Sequence, residues 1–118
     1  MYYETFEGTD AFWSALGDFA EAQPGHGERI LKCLKDFQKR RAGVATVLRS
    51  RGDRAFHLLP ETEDAGQWML LIEVDRETSG RRIVNTARGH RFARYGTARQ
   101  RAKIVDDLTA YAERLLGI

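Results

Sequence analysis

The run Trp68-Met69-Leu70-Leu71-Ile72-Glu73-Val74 constrains this chain more than any other segment, because it is almost continuously apolar and is broken by a single carboxylate. A half-buried strand alternates, whereas a strand apolar on both sides belongs in the middle of a sheet, covered above and below. Candidate partners lie on either side of it. Phe56 to Leu59 reads as a strand ended by Pro60. The turn ETSG (77–80) leads into another strand beginning near Arg81, with Ile83, Asn85 and Ala87 facing opposite to Arg82, Val84, Thr86 and Arg88. Val44 to Leu48 is compatible with strand or coil, and ETEDAG (61–66) reads as an acidic, solvated loop.

Upstream, Tyr2 to Phe6 alternates aromatic and polar residues and ends at Gly8, which predicts a first strand. Thr9 or Asp10 caps a helix in which Phe12, Leu16, Phe19 and Ala20 recur at helical spacing to about Ala22. QPGHG (23–27) breaks that pattern, with His26 as a loop residue. From Glu28 to Arg41 the residues Ile30, Leu31, Leu34 and Phe37 form a second apolar stripe, and Gly43 supplies the stop. A last helix starts near Thr97, carries Ile104, Leu108, Tyr111 and Leu115 on its apolar face and ends at Gly117. The expectation is a single α+β domain over residues 1–118: an N-terminal strand, two helices, an antiparallel sheet of three to four strands and a C-terminal helix.

The chain's 118 residues suffice for one core. Its 42% hydrophobic and 31% charged residues separate it from disordered and fibrous classes. No apolar run approaches the ~18 residues that cross a bilayer, and the acidic N-terminal residues do not read as a signal peptide. A cytoplasmic protein with no membrane partner is expected. Cys33 is the one cysteine, which leaves no internal disulfide and no cysteine-based metal site. Three dispersed histidines give no zinc pattern, so neither metal nor cofactor is expected.

The net charge of +2 conceals a strong asymmetry. The first 28 residues carry six carboxylates and no Lys or Arg. From Arg81 to Lys103 there are eight Lys or Arg residues, no acid, and one histidine, His90, in the run RRIVNTARGHRFARYG (81–96). A stretch of this kind is the footprint of a polyanion site.

The element order, together with three short segments, resembles the RelE/ParE superfamily of small bacterial toxins, most closely the YafQ-like ribosome-dependent endoribonucleases. The segments are a histidine-bearing strand, Ala55-Phe56-His57-Leu58-Leu59-Pro60, the Trp-led strand Gln67 to Asp75, and the cluster Thr86-Ala87-Arg88-Gly89-His90-Arg91-Phe92. Many relatives carry an arginine shortly after the leading aromatic of the middle strand, where this chain has Met69; the acidic residues Glu63 and Asp64 precede Trp68, without the accompanying histidine. The resemblance implies a RelE-like fold and a toxin that cleaves mRNA on the ribosome and is neutralised by a cognate antitoxin protein. An apolar groove around Leu31, Phe37 and Leu108 is the expected seat for an antitoxin helix.

RNA cleavage without a metal needs a base for the 2′-hydroxyl, stabilisation of the phosphorane and an acid for the leaving oxygen. Histidine suits the proton transfers and arginine the charge. His57 and His90, on neighbouring strands facing one side, would divide the acid and base roles, with Arg88 and Arg91 at the phosphorane. Arg81, Arg82, Arg94, Arg99, Arg101 and Lys103 would hold the RNA backbone, and Phe92 or Tyr95 would stack on a splayed base. His57 is equally readable as a structural histidine, Trp68 and Phe92 as core, and the helical cations as a solvated face. Two other functions fit the same residues: a nucleic-acid-binding protein without catalysis, and a ParE-like or phage-borne inhibitor that covers an acidic protein patch with its basic face.

Overall fold

The computed structural model describes residues 5–39, 44–61 and 67–118. It is an α+β domain in the order β1 (Thr5–Gly8), α1 (Asp10–Ala22), α2 (Pro24–Gln38), β2 (Thr46–Arg51), β3 (Arg54–Leu59), β4 (Trp68–Ser79), β5 (Arg82–Arg94) and α3 (Ala98–Leu116). The sheet order is β1-β5-β4-β3-β2. β2 to β5 form the expected antiparallel meander, but β1 joins β5 in parallel, so the sheet is mixed rather than antiparallel throughout. The reason is the connection: α1 and α2 carry the chain away from β1 across one face before the meander begins.

β4 holds the centre, as its apolar run requires. Its side chains divide by parity. Trp68, Leu70, Ile72 and Val74 pack with Phe12, Phe19, Ile30, Phe37 and Leu59 beneath α1 and α2. Met69 and Leu71 pack with Phe56, Leu58, Leu108, Ala112 and Leu116 beneath α3. Two cores on opposite faces of one sheet explain why a single strand is apolar on both sides. Met69 is buried under α3 and faces no solvent.

The helix ends are set by side chains. Thr9 Oγ1 accepts from Phe12 N at 3.1 Å, while Thr9 N donates to Gly89 O at 3.1 Å, tying the start of α1 to β5. At α3, Thr97 Oγ1 accepts from Gln100 N, and Gln100 Oε1 accepts from Thr97 N in a reciprocal capping box. Gly117, at φ 73°, closes the helix in the left-handed conformation.

Several expectations shift. α2 begins at Pro24 rather than Glu28: proline needs no N–H at the first helical position, and His26 N and Gly27 N both donate to Gln23 O. The break between the helices is one residue wide. α2 ends at Gln38, and the Gly43 stop, the strand residues Tyr2 to Glu4 and positions 62–66 of the acidic loop lie outside the described residues. Leu31 is exposed, whereas Phe37 and Leu108 are buried on opposite faces of the sheet, so these three do not form the expected antitoxin groove. Ile83 is exposed near the tip of the β4–β5 hairpin, where it pairs with Thr78. Among the described residues no helix is long and apolar enough to cross a membrane.

Candidate nucleic-acid interface

β5 does not end at His90. It continues to Arg94 through a bulge, in which Leu71 pairs with Arg91 and Ile72 with Gly89, leaving His90 as the extra residue. The bulge reverses the parity of everything after it. Before it, Ala87 faces α1 and α2 while Arg88 lies opposite Glu73 on the α3 face. Beyond it, Phe92 packs on Phe19 of α1 at 5.3 Å between ring centroids, and Arg94 lies over the same Phe19 ring at 4.3 Å. An unbroken alternation would have put Arg94 on the side of Arg88.

The basic run is thereby split. Arg81 and Arg82 sit at the hairpin tip, one whole strand away from Arg94. Arg88 pairs with Glu7 at 3.2 Å in a notch also lined by Glu73, Asp75, Glu77 and Thr86, with a volume of about 240 Å³. Arg91 is exposed and lies 4.6 Å from the Tyr111 ring centroid. Arg99 is exposed on α3, and Arg101 reaches over Tyr95 at 6.0 Å. Arg94, Tyr95 and Lys103 come together at the far end of the sheet.

The two candidate catalytic histidines are not neighbours. His57 is half-buried on β3 with its ring 5.2 Å from Phe37, on the α2 face. His90 is on β5, two strands away and on the α3 face, 6% exposed, beside Phe56 and Tyr111. The sheet between them excludes a shared substrate. His90 is also fully engaged: its Nε2 is 2.8 Å from Glu73 Oε1 and its Nδ1 is 2.8 Å from the Tyr111 hydroxyl. A carboxylate can only accept, so Nε2–H donates to Glu73, while Nδ1 shares its hydrogen bond with the Tyr111 hydroxyl.

Glu73 anchors this network. Burial opposes its charge, but hydrogen bonds from Asp75, Arg54 and His90 outweigh that and hold its carboxyl down at about 2. Arg54 Nε donates to Glu73 Oε2 at 2.9 Å. Burial, the hydrogen bond to Glu73 and that group's charge push Asp75 up to about 7. Burial depresses the pKa of His90, against the pull of Glu73 and with help from Arg88 and Arg91. Held by both ring nitrogens, His90 is a structural element of the sheet, and a notch with four carboxylates beside Arg88 has the wrong sign for a phosphate.

The site of the right sign is a groove of about 1010 Å³ between the starts of α2 and α3. Gln23, His26 and Arg29 line it from one helix, Gly96, Gln100, Lys103 and Ile104 from the other end, with Phe19, Gln67, Arg94 and Tyr95 between. Among the described residues no carboxylate lines it. Lys103, on the groove lining, is paired at 3.2 Å with the exposed Asp107 one helical turn further along α3. The first two turns of both helices line it, together with the cations Arg29, Arg94 and Lys103.

His26 is on helix α2 rather than in a loop, with its ring 5.2 Å from that of Phe19 and its Nδ1 buried without a hydrogen-bond partner among the described residues. His26, Arg29 and Gln67 carried no local signal as a site: they lie outside the basic run, and chain folding alone brings them to it. No family model, curated protein or solved structure matches this chain.

Proposed function

We propose that this protein binds RNA, and that it does so in the acid-free groove between the starts of α2 and α3. The observation that carries this reading is convergence: Arg29, Arg94 and Lys103, from three different elements, line one concavity that has no carboxylate among the described residues. Backbone phosphates satisfy such a groove, whereas an acidic protein patch would find little flat basic surface there. The test is fluorescence anisotropy of a labelled RNA dodecamer across a salt series. Three contacts predict a slope of log affinity against log salt near −2, about −0.7 for each phosphate on a single strand. A flat salt response would overturn the reading.

A second reading, the ribosome-dependent mRNA-cleaving toxin implied by the resemblance, draws support from His26. It is the imidazole that lies in the groove, beside the cations a phosphorane would need. On this reading the proton chemistry belongs to His26 instead of His57 and His90, an antitoxin covers the groove with an acidic segment, and the protein works in the cytoplasm with the ribosome. Controlled expression of wild type and His26→Ala, with mRNA 5′-ends mapped, tests it: arrest with new ends in the wild type alone supports cleavage, and no arrest in either removes it.

A further inference from the structure

The groove contains a feature that phosphate binding leaves unexplained. The Arg94 side chain is exposed and forms the wall between the groove and a smaller cavity of about 390 Å³ lined by Asp18, Phe19 and Phe92. Its Cζ is 4.3 Å from the centroid of Phe19, the contact distance of a guanidinium lying against an aromatic ring. Phe19 is 6% exposed and is itself steadied by Phe92 at 5.3 Å and His26 at 5.2 Å. A cation meant solely for phosphate gains from mobility and reach. This one lies against a buried aromatic ring and lines the groove from there.

A second, independent observation lies across the same concavity. Gln67 is the one non-glycine among the described residues with a positive φ, at 59°. Glutamine gains nothing locally from the left-handed region, where asparagine or glycine is the ordinary occupant, and such strain persists where the surroundings over-determine it. Here the Gln67 carbonyl accepts from Tyr95 N at 2.9 Å, which fixes the residue on the groove wall. Its carboxamide offers a donor and an acceptor together, the combination that pairs with the Watson–Crick edge of a base.

We propose that Arg94, laid against Phe19, is the stacking platform for one unpaired base of a single-stranded RNA, with Gln67 contacting that base's edge. The inference rests on the RNA-binding reading above and adds the substrate class: single strands are taken and duplexes refused. Bases in a duplex have both faces covered by their neighbours and cannot enter a recess, whereas a splayed base stacks readily on a guanidinium plane.

The experiment compares three probes at about 0.15 M salt: an oligoadenylate dodecamer, an abasic ribose-phosphate dodecamer of equal charge, and the corresponding duplex. The oligoadenylate is expected to bind about 5- to 100-fold more tightly than the abasic chain. Arg94→Lys, which keeps the charge and removes the plane, is expected to bring that ratio close to one. Equal binding of oligoadenylate and abasic chain by the wild type would overturn the base site and leave phosphate binding standing. A ratio that survives Arg94→Lys would overturn the platform assignment, and a duplex bound as tightly as the single strand would overturn the substrate class. Failure of all three probes to bind would remove the RNA-binding reading itself.

Discussion

His90 and Glu73 share a 2.8 Å hydrogen bond across β5 and β4, with both side chains under 10% exposed. The bond makes His90 part of the scaffold. His90→Ala removes a partner from a buried carboxylate and opens a void beside Phe56 and Tyr111. The expected cost is about 2–4 kcal/mol, a fall in Tm on the order of 10 °C. At a temperature where the variant is still folded, its RNA affinity should equal that of the wild type, because His90 does not line the groove. Thermal denaturation and anisotropy on the same preparation check both halves. Loss of binding with an unchanged Tm would contradict this account.

The neighbouring Asp75 gives a pH dependence of unusual sign for a carboxylate. Its carboxyl is held at about 7, so the folded protein keeps a proton that the unfolded chain releases from about pH 4 upward. Stability linked to this group is therefore highest below about pH 4, declines as the pH climbs to 7 and is level above. Glu73 works in the opposite direction: at about 2 when folded, it contributes fully above about pH 4.5 and is lost as the pH falls toward 2. Asp75→Asn imitates the protonated group and keeps a donor toward Glu73. With the side chain 32% exposed, the gain after solvent screening is about 2 kcal/mol. The variant should melt several degrees above wild type at pH 8, with the advantage shrinking as the pH is lowered toward 4. An equal effect at both ends of that range would disprove the linkage.

How far the sequence leads depends on whether a feature is local. The central strand is legible because apolar residues on both parities have one explanation, and α3 is legible because Thr97 and Gly117 are strong end signals. The bulge at His90 leaves no mark of its own in the composition, yet it decides which cations share a face. Alternation counted from Arg82 puts Arg88 and Arg94 together, and the extra residue separates them. The same limit applies to the groove: Arg29 and Lys103 are 74 positions apart, and each looks like an ordinary helix-surface charge until α2 and α3 are set side by side. His26 was masked by its flanking glycines, which suggest a loop, whereas Gly27 lies so close to Ala20 that a Cβ there would stand 3.0 Å from the alanine's.

The split of the basic run makes a charge-by-charge prediction. Arg94→Ala and Lys103→Ala should each weaken RNA binding and flatten the salt slope by about 0.7. Arg81→Ala and Arg82→Ala should change neither, because the hairpin tip is roughly 40 Å of strand away from Arg94. Anisotropy of the four variants across a salt series decides the matter. Equal losses from tip and groove variants would mean that the whole run, and not the groove, is the binding surface.

At Gly89 the sheet lies close against Phe12 of α1, and its substitution should show how tightly α1 is seated. A Cβ at this position would fall 2.4 Å from Phe12 Cε1 and 2.5 Å from its Cζ, well inside van der Waals contact. Phe12 is 1% exposed in the core beneath α1 and has no solvent to retreat into. The backbone cannot yield easily either, since Gly89 O accepts from Thr9 N at the cap of α1. Gly89→Ala should therefore cost about 2–4 kcal/mol through overpacking, without touching a titratable group. Phe12→Leu, made in the same chain, frees part of the ring's volume and should recover some of that loss, although alone it destabilises. Denaturant titration of the two single variants and the double variant measures the coupling. Strict additivity would show that the methyl group is accommodated by movement of α1 as a whole rather than resisted by the Phe12 ring.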